Sequence, residues 1–265
     1  MIKFEGSYFN YENLQILEDM NLEIGEGEFV AVLGLNGTGK TSMFKLMNGL
    51  LLPTKGKVEV DGVDTKDEDK IWEVRRNVGI VFQNPESQIV GTTVEEDVAF
   101  GLENLGVPRP EMIERIKEAL EFVGLDRFKN MEPHRLSGGQ KQLLCVADIL
   151  SMRPKYIVMD EPTSMMDPMS RETILKMLVK LHGIGHTIIF STHLVDEIVF
   201  AQRIIYLRNG KVAFDGRPVD VVEMIRDEFG SSEFVDFQMD LFKKGIIDRL
   251  FDVEELAERL VKFCR

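Results

Sequence analysis

The stretch Gly34-Leu35-Asn36-Gly37-Thr38-Gly39-Lys40-Thr41 constrains this 265-residue chain more than any other part of it. It satisfies GxxxxGK[ST], follows the apolar run Glu28–Leu33, and opens a segment with Met43, Phe44, Leu46 and Met47 at helical spacing. Glycines here let the backbone wrap tightly and turn its N–H groups inward. The following helix adds its positive end, so anionic oxygens are cradled. Residues Gly34 to Ser42 are the expected nucleotide contacts. Lys40 would reach the β- and γ-phosphates, and the Thr41 hydroxyl would ligate a bridging magnesium, so Mg-nucleoside triphosphate is the expected ligand.

The rest of the chain alternates short β-branched runs with longer helical periods, the pattern of a mainly parallel sheet covered by helices. Expected strands are Glu28–Leu33, Val78–Phe82, Tyr156–Asp160, Thr187–Ser191 and Arg203–Leu207. The segment Lys57–Gly62 reads as a strand running into a turn, which predicts a smaller antiparallel layer near the N-terminus. Residues 84–150 form a helical insertion between two central strands, packed at one edge of the sheet. It opens on the capping-box pattern Thr93-Val94-Glu95-Glu96 and carries Met112, Ile113, Ile116, Ala119, Leu120 and Val123 at helical spacing. The expected division is a cassette over 1–216 and a helical extension over 217–265, whose last helix shares Leu256, Leu260 and Phe263 on one face.

Tyr156-Ile157-Val158-Met159-Asp160-Glu161 is an apolar strand ending in two carboxylates, where open α/β sheets put their chemistry. Strand alternation would send the two in different directions. Asp160 then holds magnesium through water, while Glu161 polarises an attacking water as general base. His193 follows the expected strand Thr187–Ser191, where a neutral imidazole would touch the γ-phosphate and orient the water or Glu161. His134, His182 and His186 read as ordinary surface or core histidines.

Composition excludes several other classes. Thirty-two Lys and Arg face 45 Asp and Glu, a formal charge of −13 that disfavours nucleic acid and anionic lipid as partners. Cys145 and Cys264 are far apart, with no CxxC and no neighbouring histidine cluster, and read as reduced thiols. No apolar run is long enough to span a bilayer, so any membrane role needs other chains.

Leu136-Ser137-Gly138-Gly139-Gln140-Lys141-Gln142 resembles the signature motif of ATP-binding-cassette ATPases. Physically, it places a hydroxyl and bare N–H groups at the start of a second helix, another anion-binding end that one triphosphate in one domain does not need. The resemblance implies the P-loop NTPase fold with a RecA-like core, and two cassettes facing head to tail. Ser137, Gly138, Gly139 and Gln140 of each would contact the nucleotide held by the other's Lys40 loop. It further implies that Gln83 ligates magnesium and senses a membrane partner, that Asp167 lies in the D-loop, that His193 is the switch histidine and Glu161 the catalytic glutamate. Tyr11 is similar to the aromatic that stacks on adenine, with Phe9 as its rival.

The stretches Phe82-Gln83-Asn84-Pro85-Glu86-Ser87-Gln88 and Thr92–Gly101 are similar to the ATPases of energy-coupling-factor (ECF) transporters, which take up vitamins and transition-metal ions. That likeness implies a peripheral subunit at the cytoplasmic face of the membrane. It would be partnered by a second cassette, a transmembrane coupling (T) protein and a substrate-binding (S) membrane protein, with the extension as a possible dimer contact. Leu143, Met165-Met166 and Leu194 depart from the usual pattern without removing a catalytic group, and are read as favouring a non-identical second cassette over an identical one. The alternatives are the ATPase of another importer or exporter, a soluble cassette acting on nucleic acid, and a nucleotide-binding scaffold without turnover.

Overall fold

Alternation along the central strands lets one sheet face two cores. In the strand β3 (Phe29–Leu33), Val30 and Val32 join one buried cluster, while Phe29, Ala31 and Leu33 join the other. Side chains on a strand point to opposite faces with period two, so an unbroken apolar run signals a sheet covered on both sides. The computed structural model describes residues 1–164 and 166–263, so Met165 of the expected D-loop and Cys264 lie outside the described residues.

Before β3 come two long strands, β1 (Ile2–Tyr11) and β2 (Leu14–Ile24). After it come α1 (Lys40–Met47), β4 (Lys55–Val60), β5 (Val63–Asp64), α2 (Ile71–Asn77) and β6 (Val78–Val81). The helices α3 (Val94–Asn104), α4 (Arg109–Val123) and α5 (Gly138–Ser151) precede β7 (Tyr156–Met159). Then follow α6 (Pro168–Gly183), β8 (Thr187–Thr192), β9 (Arg203–Arg208) and β10 (Lys211–Gly216), and finally α7 (Pro218–Phe229), α8 (Glu233–Lys243) and α9 (Val253–Phe263).

Two sheets result. The larger has the order β10-β9-β3-β8-β7-β6, parallel except for the antiparallel edge strand β10. The smaller is antiparallel, in the order β2-β1-β4-β5. The expected N-terminal layer is therefore present and larger than Lys57–Gly62 alone. β1 and β2 escape a period-two reading because register shifts interrupt their pairing between Phe4 and Asn10.

Strand order corrects one expectation. β6 is the outer strand of the large sheet and, among the described residues, pairs only with β7, so the helical insertion sits between an edge strand and an inner one rather than between two central strands. The helices α3 and α4 pack on α5, and α5 reaches β6. Thr93 caps α3 by accepting from Glu96 N, as its sequence suggests.

The C-terminal helices divide by burial. Val219, Val221, Val222 and Ile225 of α7 and Val235 and Met239 of α8 enter the main core. Leu256 of α9 packs instead in a small cluster with Leu241, Ile247 and Phe251, with Leu260 against its edge. Phe263 on the same helix is 65% exposed.

Candidate active site

The turn from β3 into α1 is held open by glycine where nothing else fits. Gly39 caps α1 at φ 104°, and a Cβ there would lie 2.6 Å from Leu17 Cδ2. Gly34 is closed to a side chain as well, since its Cβ would lie 2.6 Å from Thr38 Oγ1 and 2.9 Å from Leu207 O. The turn thus lies hard against β2 and β9 and bounds a cavity of about 290 Å³ lined by Asn36, Gly37, Gly39, Lys40, Thr41, Ser42, Gln83, Glu161 and Ile16. Ile16 was not foreseeable from the motif, because it comes from β2, which is distant in sequence.

Lys40 is buried, and its Nζ donates to Gly34 O at 2.7 Å and Leu35 O at 3.1 Å. The same ammonium pairs with Glu161 Oε1 at 2.9 Å. Behind the cavity lining, Thr41 Oγ1 donates to Asp160 Oδ2 at 2.5 Å, and Ser191 Oγ donates to Asp160 Oδ1 at 2.8 Å.

The two adjacent carboxylates do diverge, but not through strand alternation. β7 ends at Met159, and Glu161 takes a left-handed backbone with φ 44°. Such a conformation costs about 1–3 kcal/mol at a residue with a side chain and persists where surroundings enforce it. Here Glu161 N donates to Ser191 Oγ at 2.8 Å, the hydroxyl that also serves Asp160. Ser191 is a second residue that the motifs did not single out.

Glu161 Oε2 faces the remaining groups. Gln83 Nε2 donates to it at 3.2 Å and to Ser164 Oγ at 3.2 Å. His193 Nδ1 lies 3.3 Å from the same oxygen. Six residues separated by up to 153 positions in the chain, Lys40, Thr41, Gln83, Asp160, Glu161 and His193, therefore converge on one site.

Other expected residues lie elsewhere. Ser137 caps α5, accepting from Gln140 N at 3.3 Å while its own N donates to Gln140 Oε1 at 2.9 Å, a complete capping box. Gly138 opens on a separate cavity of about 270 Å³ shared with Gln83, Glu86 and Met166, and none of Ser137, Gly138, Gly139 and Gln140 lines the cavity of Lys40. Asp167 caps α6, accepting from Met169 N at 3.0 Å and Ser170 Oγ at 2.6 Å, and these Ser170 contacts hold its carboxyl below the usual range. Tyr11 ends β1, half exposed and edge-on to Phe9, whereas Phe9 is buried.

Two further features flank the site. A groove of about 300 Å³ between α2 and the helical insertion is lined by Trp72, Arg76, Gln88, Val90, Phe100 and Met152, and the exposed faces of Trp72, Val90 and Phe100 are apolar. Cys145 is buried in α5 with its thiol pushed well up by burial, as expected of a small hydrophobe. No helix among the described residues is long and apolar enough to cross a membrane.

A phosphate-binding turn on a mixed sheet, with a buried lysine, paired carboxylates and a histidine at the strand ends, defines a nucleotide-hydrolysing cassette. The family model described as ABC transporter matches residues 17–164. An energy-coupling factor transporter ATP-binding protein of Caldanaerobacter subterraneus is 43% identical, covering 94% of this chain and 92% of that one. A cobalt import ATP-binding protein of Syntrophus aciditrophicus is 46% identical, over 82% of this chain and 79% of the relative. Among solved structures, cbiO1 of Clostridium perfringens, part of an ABC transporter complex, superposes with TM-score 0.77 at 32% identity, over 91% of this chain and 98% of that one. A dimeric ATP-binding cassette bound to ADP and Pi gives TM-score 0.74 at 33% identity, over 82% of this chain and 99% of that one. The chain belongs to the ABC transporter family, as one of its ATP-binding, ATP-hydrolysing cassettes.

Proposed function

We propose that this chain is the ATPase of an energy-coupling-factor importer, energising uptake of vitamins or transition-metal ions from the cytoplasmic face of the membrane. The observation that carries the reading is the meeting of Lys40, Gln83 and His193 on the single carboxylate Glu161 beside the phosphate turn. The names of its relatives, a cobalt import protein and energy-coupling factor subunits, support the class of cargo.

In this reading Glu161 is the general base. Lys40 neutralises it between turnovers, and a phosphate oxygen that takes Lys40 leaves Glu161 Oε2 to Gln83, His193 and the attacking water. Glu161 accepts a proton from the water as the water oxygen attacks the γ-phosphorus and the β–γ bridging oxygen departs. Lys40 and the N–H groups of the phosphate turn at the start of α1 stabilise the charge that develops on the phosphoryl oxygens. Tyr11 stacks on the adenine.

Magnesium fits the donor set. Thr41 and Gln83 line the cavity and Thr41 Oγ1 is hydrogen-bonded to Asp160 Oδ2 behind it, and magnesium is held by one or two such oxygens plus phosphate and water. Thr41, Asp160 and Gln83 would hold it, and it would supply charge neutralisation between the β- and γ-phosphates.

The separation of the signature turn from the Lys40 cavity supports a two-cassette arrangement, in which Ser137, Gly138, Gly139 and Gln140 close on the partner's nucleotide and Asp167 lies at the joint. The second cassette is a non-identical one in our reading. The apolar groove of Trp72, Val90 and Phe100, which takes Gln88 and Val90 from the segment after Gln83, would receive a helix of the T protein, and an S protein would carry the solute. Cassette 1–216 performs the hydrolysis, and extension 217–265 joins the two ATPases.

A mild-detergent pull-down of the tagged chain from native membranes tests the assignment. Recovery of a second cassette, one coupling protein and small substrate-binding membrane proteins is the expected result. Recovery of paired permeases or of nucleic-acid-processing proteins would overturn it.

A further inference from the structure

Glu197 is buried, at 1% exposure, and it lines no part of the Lys40 cavity. Its Oε1 accepts from Thr163 Oγ1 at 2.7 Å, and its Oε2 accepts from Thr192 Oγ1 at 2.6 Å. Thr163 stands two residues after Glu161, and Thr192 immediately precedes His193. The Thr192 hydroxyl also accepts from Leu194 N at 3.0 Å, which ties the backbone on the far side of His193 to the same group. Arg171 Nε, 3.8 Å from Oε1, adds α6, whose first turn is capped by Asp167.

Burial opposes the charge on this carboxylate and raises it above the ordinary glutamate range, while both threonine hydroxyls and Arg171 pull it back. An aliphatic side chain would fill the same space without that penalty. What an aliphatic cannot do is bind two loops at fixed geometry through opposite oxygens of one rigid planar group.

We propose that Glu197 is a positioning residue for hydrolysis. It locks the segment carrying His193 to the segment carrying Glu161 and leading to Asp167, so that the imidazole and the carboxylate keep their 3.3 Å contact and move as one unit. Glu197 itself touches neither nucleotide nor water in this scheme. The inference rests on the roles given above to Glu161 and His193.

The test is steady-state ATP hydrolysis by the full chain, in the complex it purifies with, comparing parent, Glu197→Ala, Glu197→Gln, Thr163→Val and Thr192→Val, with Glu161→Gln as control. Glu197→Ala is expected to lower kcat about tenfold or more with KM for ATP within about twofold, the mark of an interaction that matters after binding. Glu197→Gln is expected to retain kcat within about threefold, because its amide keeps one acceptor and the threonine hydroxyl opposite its NH₂ can turn to accept. If Glu197→Ala does not fold, the single threonine variants decide the matter, each lowering kcat at unchanged KM. Parental kcat in Glu197→Ala or in both threonine variants overturns the proposal. So does a loss confined to KM, or a glutamine variant as slow as the alanine one. A Glu161→Gln control that hydrolyses at the parental rate sinks the general-base assignment instead, and the two failures are told apart by which variant stays active.

Discussion

Lys40 Nζ and Glu161 Oε1 stand 2.9 Å apart with both side chains more than nine-tenths buried, although 121 positions separate them in sequence. The phosphate turn and the strand-end carboxylate are thus electrostatically joined before any substrate chemistry. Removing one member of a buried pair strands the other's charge in a low dielectric, at a cost of about 3–5 kcal/mol.

Lys40→Met is therefore expected to destabilise the fold as well as abolish ATP binding. Denaturant unfolding should show the loss, and the double variant Lys40→Met/Glu161→Gln should recover most of it, because no uncompensated charge then remains. Equal stability of the single and double variants would show that the pair is not energetically coupled.

A pH dependence should arise away from the site, in the groove beside the helical insertion. The Asp148 carboxyl is raised well above the usual range by burial and by Asp97, whose own Oδ1 accepts from Val90 N at 2.8 Å and Gly91 N at 2.7 Å. Folded Asp148 thus keeps a proton that the unfolded chain releases above pH about 4. Stability falls as pH rises from that point toward the folded value, since the native state then binds more protons than the unfolded one. Melting curves from pH 5 to 8 should decline for the parent and be flatter for Asp148→Asn, whereas parallel declines would mean that Asp148 is charged in both states.

On α9, burial separates two jobs that the sequence pattern merges. Leu256→Ala should cost about 2–5 kcal/mol, the range for a buried leucine, because it empties the cluster of Leu241, Ile247 and Phe251. Phe263→Ala combined with Val261→Ala should leave the melting temperature unchanged, since both side chains are exposed, and should weaken nucleotide-free association measured by analytical ultracentrifugation. Unchanged association would remove the extension from the dimer contact.

The difference between what the sequence disclosed and what it hid follows the range of the interactions. Gly34–Thr41 was legible because a turn, its glycines and its helix start are neighbours in the chain. Asp160 and Glu161 were legible as a strand end, yet their divergence comes from a left-handed backbone at Glu161 enforced by Ser191, a contact that no local pattern reports. Ile16 escaped notice because an interrupted antiparallel pairing brings it to Gly39 from the other sheet. Glu197 belongs to no sequence motif, and only the packing of the single 3₁₀ turn Val195–Phe200 against α6 buries it. Strand order, which puts β6 at the edge, is likewise a property of long-range pairing.

Single-turnover ATP hydrolysis by Glu161→Gln tests the central claim most directly. Loss of a positioned general base should slow the chemical step about 10²–10⁴-fold, while Lys40, Thr41 and the glycine turn still bind Mg-ATP with affinity near the parent's. Hydrolysis at the parental rate, with binding intact, would contradict the account and move the base to another residue.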